Sequence, residues 1–421
     1  MSSSSASSFV PNRWIIAIAA FLMQIALGSV YAWSVFLNPV IKLYGVSKAQ
    51  ANLTFSIVLL ALGITAGFGG YFNNRFGPRV VATAGGIFYG LGVILAGLTA
   101  GSHSLFLLYI TYGVIGGIGI GLGYIVALAM LIRWFPDRRG FITGLAVAGF
   151  GAGAVVTGQI AAPLVDAKSS SFIGVGSTFL YLGIAYLVVV VVVAQFFRTA
   201  PNGYAPVGWT PSTRQQTDRA VRDYTLPEAL RLPRWYLLWL ILALNVTAGA
   251  ALISVASPLA QSFTGVTATT AALIVSTIAI FNGTGRLFWG WVSDGIGRPF
   301  TFLSLFVIQI IAFAVIPSIS TFAVLLVPAA IIGLCYGGGF GTMPAFAADF
   351  FGPKNAGTIY GAMLTAWSAG GIVGPLLIAS IDYRTALYII AVIMLVSTTL
   401  PFIARALARR RGDMVQATGG S

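Results

Sequence analysis

Long apolar runs, separated by short polar connections, repeat along the chain from Trp14 to Arg405. An α-helix needs about 20 apolar residues to cross the hydrocarbon core of a bilayer. Twelve runs approach or exceed that length, with bounds at 14–37, 51–72, 79–101, 105–132, 141–164, 172–197, 234–260, 268–292, 299–318, 321–349, 355–379 and 384–405. The pattern therefore predicts an all-α integral membrane protein with twelve transmembrane helices.

The longest polar stretch, Arg198 to Pro233, separates the sixth predicted helix from the seventh. It is too short for a folded signalling domain, which argues against a membrane sensor. The chain is thus predicted to have five parts. They are an N-terminal tail (1–13), an N-terminal six-helix bundle (14–197), a central loop (198–233), a C-terminal six-helix bundle (234–405) and a basic tail (406–421).

Basic residues are distributed unevenly between the two ends of the predicted helices. Of the 23 Lys and Arg residues, Lys42, Lys48, Lys168 and Arg384 lie on one side, Arg286 lies within a helix, and the rest lie on the other side. Cytoplasmic loops carry an excess of Lys and Arg. The bias predicts a multi-pass plasma-membrane protein (the inner membrane in a Gram-negative cell) with both termini and the central loop cytoplasmic. It also accounts for the net charge of +14 without a nucleic-acid partner.

The composition fits a lipid environment and argues against catalysis. Charged residues make up 8% of the chain, against about 25% in soluble domains. The one histidine, His103, and the one cysteine, Cys335, do not supply the ligands of a zinc-type site or an intrachain disulfide. We therefore expect no metal and no cofactor. No constellation of carboxylate, His and Cys residues is predicted to face a cavity, so an enzyme is not expected either.

Arg286 lies well inside the eighth apolar run, which extends from Thr267 to Val292. A charge at the centre of a bilayer costs from about 3 to more than about 10 kcal/mol, so it normally faces a cavity or a partner. All nine carboxylates lie in loops or at helix ends, which leaves Asp294 or backbone carbonyls as candidate structural partners. A guanidinium also pairs bidentately with a carboxylate. We predict that Arg286 binds the carboxylate of a small substrate.

Asn282 precedes Arg286 by four residues, so both lie on one helix face. Its amide is expected to orient the guanidinium or to bond the substrate, although bonding to a neighbouring helix is the alternative. Aromatic residues of other spans are expected to shape the cavity, because a tyrosine hydroxyl facing lipid would lack a partner. Plain packing or lipid contact is the alternative for each of them. The predicted lining residues are Tyr31, Tyr124, Tyr336, Phe340 and Trp367.

Glycine and proline interrupt several of the predicted helices. Gly337-Gly338-Gly339 and Pro344 fall in the tenth, and Gly370-Gly371 and Gly374-Pro375 fall in the eleventh. Such residues allow either close helix packing or bending of gating helices. The sequence leaves both alternatives open.

Two connections at corresponding places in the two halves share one sequence frame. The segments Gly70 to Arg79 and Gly290 to Arg298 both place Gly, three residues, Asn or Asp, two residues and Gly, followed by Arg. This frame resembles the helix 2–3 signature of the major facilitator superfamily. The resemblance implies the major facilitator fold, with two pseudo-symmetric bundles around a central cavity that opens to alternate sides.

A second resemblance concerns the substrate. Trp134 to Gly149 resembles the helix 4–5 signature of monocarboxylate transporters, with an aromatic-Phe pair, two basic residues and a Gly-Leu-Ala-x-Ala-Gly run. Gly28 to Trp33 resembles their helix 1 signature without its leading acid. The chain also resembles the oxalate:formate antiporter-like family over nearly its whole length. That resemblance includes Tyr31-Ala32-Trp33, Asn38-Pro39-Val40, Phe281-Asn282-Gly283, Arg286, Phe288-Trp289-Gly290 and Tyr360-Gly361.

The resemblance also shows a departure that bears on substrate charge. In the oxalate carriers a lysine of helix 11 meets the second carboxylate of oxalate, and alignment on Tyr360-Gly361 places Trp367 at that position. A buried dianion that faces Arg286 alone would keep an uncompensated charge, which is unfavourable. We therefore expect a small monocarboxylate such as lactate or pyruvate. An oxalate/formate-type exchanger is the alternative.

Proton coupling cannot follow the arrangement of the mammalian monocarboxylate carriers. They place an Asp four residues before the helix 8 arginine and a Lys in helix 1, whereas Asn282 stands here and 14–37 contains no Lys. The proton is expected to travel with the substrate–arginine–tyrosine cluster or on the acid itself, because a dry cavity favours the neutral acid. We predict proton-coupled symport by alternating access. The expected partners are a monocarboxylate anion, a proton and the lipid bilayer; the sequence does not define an oligomeric partner.

Overall fold

The computed structural model describes residues 12–201, 204, 206, 223–352 and 355–410. Twelve helices in these ranges are long and apolar enough to cross a membrane, and the same ranges contain no strand. They are α1 (Arg13–Tyr44), α2 (Lys48–Phe76), α3 (Pro78–Thr99), α4 (Leu105–Trp134), α5 (Arg139–Val165), α6 (Val175–Ala194), α7 (Pro233–Thr264), α8 (Ala268–Ile296), α9 (Arg298–Val315), α10 (Phe322–Phe351), α11 (Ala356–Ser380) and α12 (Tyr383–Leu407). The prediction of an all-α membrane protein with twelve spans is confirmed.

The first helix is longer than its apolar run predicts. It was expected to end at residue 37, but it continues through Pro39 to Tyr44 and places Lys42 in its last turn. Val40 and Tyr44 are buried, so contacts with the rest of the protein support these turns beyond the apolar run. The expectation that the first helix contains no lysine is therefore wrong, although Lys42 lies at the end of the helix and far from its centre.

Besides α12, which a turn interrupts at Thr398–Thr399, three spanning helices depart from regular α-helical geometry. In α1 a 3₁₀ turn covers Ser29–Ala32, and in α4 a π-helical stretch covers Tyr109–Gly116. In α11 the helix is broken at Leu364, between Ala356–Met363 and Thr365–Ser380. Such irregularities inside long helices often lie at functional positions. All three of these helices contribute side chains to the site described below.

In both repeated connections, the second glycine of the frame is required by the backbone conformation. Gly77 and Gly297 have φ values of 78° and 83°, in the region that only glycine adopts readily. In the second connection, Arg298 pairs with Asp294 at 2.8 Å between Nη1 and Oδ1, and with Asp349 at 3.3 Å. Both connections thus share the sharp turn, and in the second one Arg298 also joins α9 to α8 and α10 through these ion pairs.

The two halves meet mainly along two pairs of helices, α2 with α11 and α5 with α8. We call the side on which α1 begins the basic side, and the other the opposite side. The even-numbered helices end on the basic side, and the odd-numbered helices begin there. The predicted N-terminal tail (1–13), central loop (198–233) and basic tail (406–421) lie partly outside the described residues.

Candidate substrate-binding site

Arg286 lies near the middle of the protein and is 7% exposed. Its Nη1 donates a hydrogen bond of 3.0 Å to the Tyr124 hydroxyl, and its guanidinium lies 5.0 Å from the centroid of the Phe340 ring. Its Nε and Nη2 have no hydrogen-bond partner among the described residues. Asp294 does not serve as a partner, since it pairs with Arg298. A buried cation with unused donors is therefore available to an anion.

The predicted aromatic residues gather around this cation, with Trp367 at their centre. The Trp367 ring lies 4.8 Å from that of Phe340, 5.4 Å from that of Tyr124 and 6.4 Å from that of Tyr31, measured between centroids. The hydroxyls of Tyr31 and Tyr336 share a hydrogen bond of 2.8 Å. Because Tyr31 belongs to α1 and Tyr336 to α10, this bond joins the two halves of the protein. The structure thus brings together all five aromatic residues and Arg286.

Phe150 is a member of this group that the sequence did not indicate. Its ring lies 5.2 Å from that of Tyr31 and 5.3 Å from that of Tyr124, and it is fully buried. The backbones of α1 and α5 touch here, since a Cβ atom added to Gly28 would overlap the Phe150 carbonyl. Gly149 and Gly151, on either side of Phe150, indicate that another helix approaches closely, but they do not show which way the phenyl ring points.

Tyr360, on the first segment of α11, is a second residue that was not predicted to line the site. It is close enough to Arg286 and Tyr124 to interact with both electrostatically. Its Tyr-Gly pair entered the sequence analysis only as an alignment marker. The structure makes it a candidate lining residue on the basic side.

Asn282 is 2% exposed and packs against α10, where its Oδ1 would lie 2.8 Å from a Cβ atom added to Gly337. Within the described part of the chain its Oδ1 has no hydrogen-bond partner, and it does not bond to Arg286. The expectation that Asn282 steadies the guanidinium directly is therefore not met in this conformation. Asn282 instead faces a small cavity that it shares with Tyr31.

Trp33, two residues beyond Tyr31, belongs to a different contact. Its Nε1 donates a hydrogen bond of 3.1 Å to Asn52, and its ring lies 5.4 Å from that of Tyr112. It therefore packs inside the N-terminal half and does not face Arg286.

On the opposite side, hydrogen bonds hold the two halves together. The buried Asn52 amide donates to Ser254 Oγ and to the Pro375 carbonyl, each at 2.9 Å. Gln159 Nε2 donates to Ser276 Oγ, also at 2.9 Å. These bonds join α2 to α7 and α11, and α5 to α8. The site is closed on this side.

Towards the basic side, α2 and α11 separate. A Cβ atom added to Gly63 would overlap Ser368, whereas one added to Gly67 would lie 3.5 Å from Thr365 Cγ2. Gly70 follows on the same helix face, and a Cβ atom there would have no atom within 4 Å. The space between these helices therefore widens along their length.

The pair α5 and α8 separates in the same direction. A Cβ atom added to Gly151 would lie 2.6 Å from the Ala279 carbonyl, and one added to Gly283 would lie 3.5 Å from the Ala148 Cα. At Gly290, further along this face, nothing lies within 4 Å. Both interfaces are therefore tight on the opposite side and open towards the basic side.

The chemistry available at the centre is binding rather than catalysis. The residues that the structure describes contain no group of three or more His, Cys, Asp and Glu side chains that could hold a metal ion. What the site offers is one fixed positive charge, tyrosine hydroxyls and an aromatic enclosure between two helical halves. Together with the two tapering interfaces, this arrangement defines a membrane transporter with a central site.

Sequence comparison identifies the family. The sequence model of the Major Facilitator Superfamily matches residues 13–375 and, in a second match, residues 238–419. The chain therefore belongs to the Major Facilitator Superfamily and is a transporter rather than an enzyme. The resemblance deduced from the repeated helix 2–3 frame is confirmed.

Several relatives match over most of their length. The chain is 29% identical to the uncharacterized MFS-type transporter YhjX of Escherichia coli K12, over 87% of both chains. It is 29% identical to the oxalate:formate antiporter of Oxalobacter formigenes, over 92% of this chain and 90% of the antiporter. It is 26% identical to the apicoplast pyruvate carrier 1 of Toxoplasma gondii, over 83% of this chain and 80% of the carrier.

A solved structure supports the fold. The bacterial homologue of the human lysosomal transporter Spinster, in an inward-facing and unoccupied conformation, superposes with a TM-score of 0.74. The match covers 98% of this chain and all of that one at 15% identity. The major facilitator fold is thus confirmed.

Proposed function

We propose that this transporter carries a small monocarboxylate of the lactate and pyruvate class across the plasma membrane. The observation that supports the proposal most strongly is Arg286, a buried guanidinium whose Nε and Nη2 have no partner among the described side chains and backbone groups. A carboxylate presents two oxygens with the spacing that a guanidinium fork bonds best. The oxalate:formate antiporter and the pyruvate carrier, both named for carboxylates, are similar over most of the chain.

The number of positive charges favours one carboxylate over two. Trp367 packs on Tyr124 and Phe340 in the centre of the site, where a second cation would be required for a dianion. A second carboxylate in that position would meet aromatic rings and lose its hydration without an ion pair. A substrate with one carboxylate and an uncharged remainder matches the enclosure.

Transport is proposed to follow alternating access, with the basic side facing the cytoplasm and both termini there. In this conformation the substrate would reach Arg286 from the cytoplasmic side, because the α2–α11 and α5–α8 interfaces widen in that direction. The Asn52 and Gln159 bonds would break when the halves rock to open the other side. The Tyr31–Tyr336 bond, which crosses between the halves at the site, would open in step with substrate binding.

A proton is proposed to accompany the anion. Asn282 replaces an acid in the site, and no described carboxylate forms an ion pair with Arg286. The proton therefore has to travel with the substrate–arginine–tyrosine cluster or on the acid. A free small carboxylic acid ionises near or below about pH 4, and a cavity that excludes water raises the pKa of the bound acid.

An exchanger is the second candidate, and one specific observation favours it. The oxalate:formate antiporter is similar over 92% of this chain. An exchanger would need substrate on both sides of the membrane and no proton gradient.

Uptake of labelled L-lactate into proteoliposomes tests the proposal. The interior is made alkaline, and the assay is repeated without the pH gradient but with unlabelled L-lactate inside. We expect accumulation that requires the gradient and collapses with an uncoupler. Uptake seen only with internal lactate would replace symport by exchange. Absence of uptake in both assays, with labelled pyruvate as well as with labelled L-lactate, would contradict the proposed substrate class.

A further inference from the structure

A small cavity lies beside the site, displaced from Arg286 towards the opposite side of the protein. Its free volume is about 10 Å³, with Tyr31 and Asn282 at its edge. The rest of its lining is apolar and comes from α7 and α8: Ile253, Ala256, Val275, Ile278 and Ala279. All five of these side chains are 3% exposed or less. The cavity is therefore an apolar compartment within the protein.

This cavity adjoins the proposed carboxylate position. Along α8, Ile278, Asn282 and Arg286 follow one another at spacings of four residues and lie on one face. Side chains of a helix lean towards its N-terminus, so the Arg286 guanidinium extends towards the level of Asn282. Tyr31 lines the cavity and also interacts electrostatically with Arg286. A molecule of a few carbon atoms bound to Arg286 can therefore place its far end here.

The lining suits a hydrocarbon group better than water or a second acid. A buried water needs two to four polar partners, whereas Tyr31 already bonds Tyr336 and Asn282 is the one other polar side chain in the lining. The free space at its centre has room for about one water-sized group, which is close to the size of a methyl. A carboxylate would lose its hydration here without gaining any ion pair.

We propose that this cavity is a specificity subsite that receives the methyl group of the substrate while Arg286 holds its carboxylate. The inference rests on the proposed function and deepens it, because it limits the uncharged end of the acid to one small apolar group. Propionate, lactate and pyruvate fit this description. Formate lacks the group, oxalate places a charge there, and butyrate exceeds the space by one methylene.

Chain-length selectivity of the purified protein in detergent tests the subsite. For formate, acetate, propionate and butyrate, one measures the concentration that gives half of the maximal thermal stabilisation, a readout that is independent of symport or exchange. Ala256→Val fills the cavity, and Ile278→Ala enlarges it. Ile280→Ala is the matched control, since Ile280 lies on the same helix but is 54% exposed and outside the lining.

We expect Ala256→Val to weaken propionate about fourfold relative to formate, the factor equivalent to one buried methylene at about 0.8 kcal/mol. Ile278→Ala should strengthen butyrate about fourfold relative to propionate, and Ile280→Ala should leave all ratios unchanged. The variants' own thermal midpoints without acid show whether they are folded.

Two further outcomes would overturn the inference in distinguishable ways. If the acids stabilise the protein but neither cavity variant changes their order, the subsite is wrong while the carboxylate site stands. If no acid stabilises the wild-type protein, the proposed substrate class fails and the subsite fails with it.

Discussion

Among the described residues, Arg286 is held near the middle of the protein by the Phe340 ring and the Tyr124 hydroxyl rather than by an acid. The Phe340 contact contributes up to about 2 kcal/mol, and the bond to Tyr124 about 1.5–3 kcal/mol. The cost of a charge at this depth runs from about 3 to more than about 10 kcal/mol. Against the upper part of that range the protein groups offset only part of the cost, and in the proposed function a bound carboxylate would supply the remainder. The donors of Arg286 that remain without a partner among the described residues support this proposed binding role.

A second charged residue, Asp137, acts outside the membrane, where it ties the start of α1 to the α4–α5 connection. Arg13 Nη1 and Nη2 donate to its two carboxylate oxygens at 2.6 and 3.0 Å. This hydrogen bonding holds the pKa of the Asp137 carboxyl below its ordinary value. A carboxyl whose pKa is lowered by folding stabilises the protein above its unfolded pKa, near 4, and loses that effect as the pH falls through the folded value.

Asp137→Asn should therefore lower the stability of the purified protein by about 1 kcal/mol at pH 7, as expected for a partly exposed pair. The difference from wild type should be the same at pH 5 as at pH 7, because both lie above the relevant pKa window. Thermal unfolding at the two pH values measures it. A difference that disappears between pH 7 and pH 5 would contradict this account of the ion pair.

Among individual residues, the sequence predicted Arg286 and the five aromatic residues of the site, because each places a charged or aromatic group inside an apolar run. It did not predict Phe150, since an apolar ring in an apolar helix gives no sign of which face is inward. It also did not reveal that Asn282 packs against Gly337 instead of bonding Arg286. Those facts depend on how closely α1 approaches α5, and α8 approaches α10, which hydropathy does not encode.

At the scale of the helices, their number and order followed from the apolar runs. Lipid offers no hydrogen-bond partners, so each crossing segment must form its backbone hydrogen bonds internally, as a helix does. Their ends and irregularities did not follow. Hydropathy indicates which part of a helix crosses the lipid. It did not indicate that α1 continues to Tyr44, where contacts with the rest of the protein support the last turns. The 3₁₀ turn at Ser29–Ala32 and the π-helical stretch at Tyr109–Gly116 have no sequence signal in the apolar pattern.

The glycines of α10 and α11 illustrate an alternative that the sequence left open. A Cβ atom added to Gly337 would overlap the Asn282 carbonyl, and one added to Gly374 would overlap the Thr247 carbonyl. The α10 helix also runs without a break from Phe322 to Phe351. Close packing accounts for these glycines in this conformation. The break in α11 occurs instead at Leu364, between the two segments of the helix.

At the scale of the whole molecule, the two halves are closed on the opposite side and separate towards the basic side. We expect this arrangement to depend on the hydrogen bonds where α2 meets α7 and α11. Asn52 is fully buried and connects Trp33 of its own half to Ser254 and Pro375 of the other half. Each hydrogen bond has a net value of about 0.5–1.5 kcal/mol, and two of them cross between the halves. Their loss should favour the state that opens on the opposite side.

Cysteine labelling measures this shift. A cysteine at Gly361, where an added Cβ atom meets nothing within 4 Å, reports access from the basic side, and Cys335 is buried. Asn52→Leu in that background should shift the equilibrium between the two states by about tenfold and slow labelling by up to that factor, since the two cross-half bonds together amount to about 1–3 kcal/mol and tenfold corresponds to about 1.4 kcal/mol. The exposed Asn12→Leu serves as control. Labelling that is unchanged or faster in Asn52→Leu would show that these bonds do not hold the opposite side closed.

The central claim, that Arg286 holds the substrate carboxylate, is tested most directly by uptake of labelled L-lactate into proteoliposomes that contain Arg286→Gln. Arg384→Gln is the charge-matched control, because Arg384 is an exposed residue at the start of α12. We predict uptake at the protein-free background for Arg286→Gln, with a thermal midpoint no lower than wild type, and uptake near wild type for Arg384→Gln. A folded Arg286→Gln protein that takes up lactate at the wild-type rate would contradict the account.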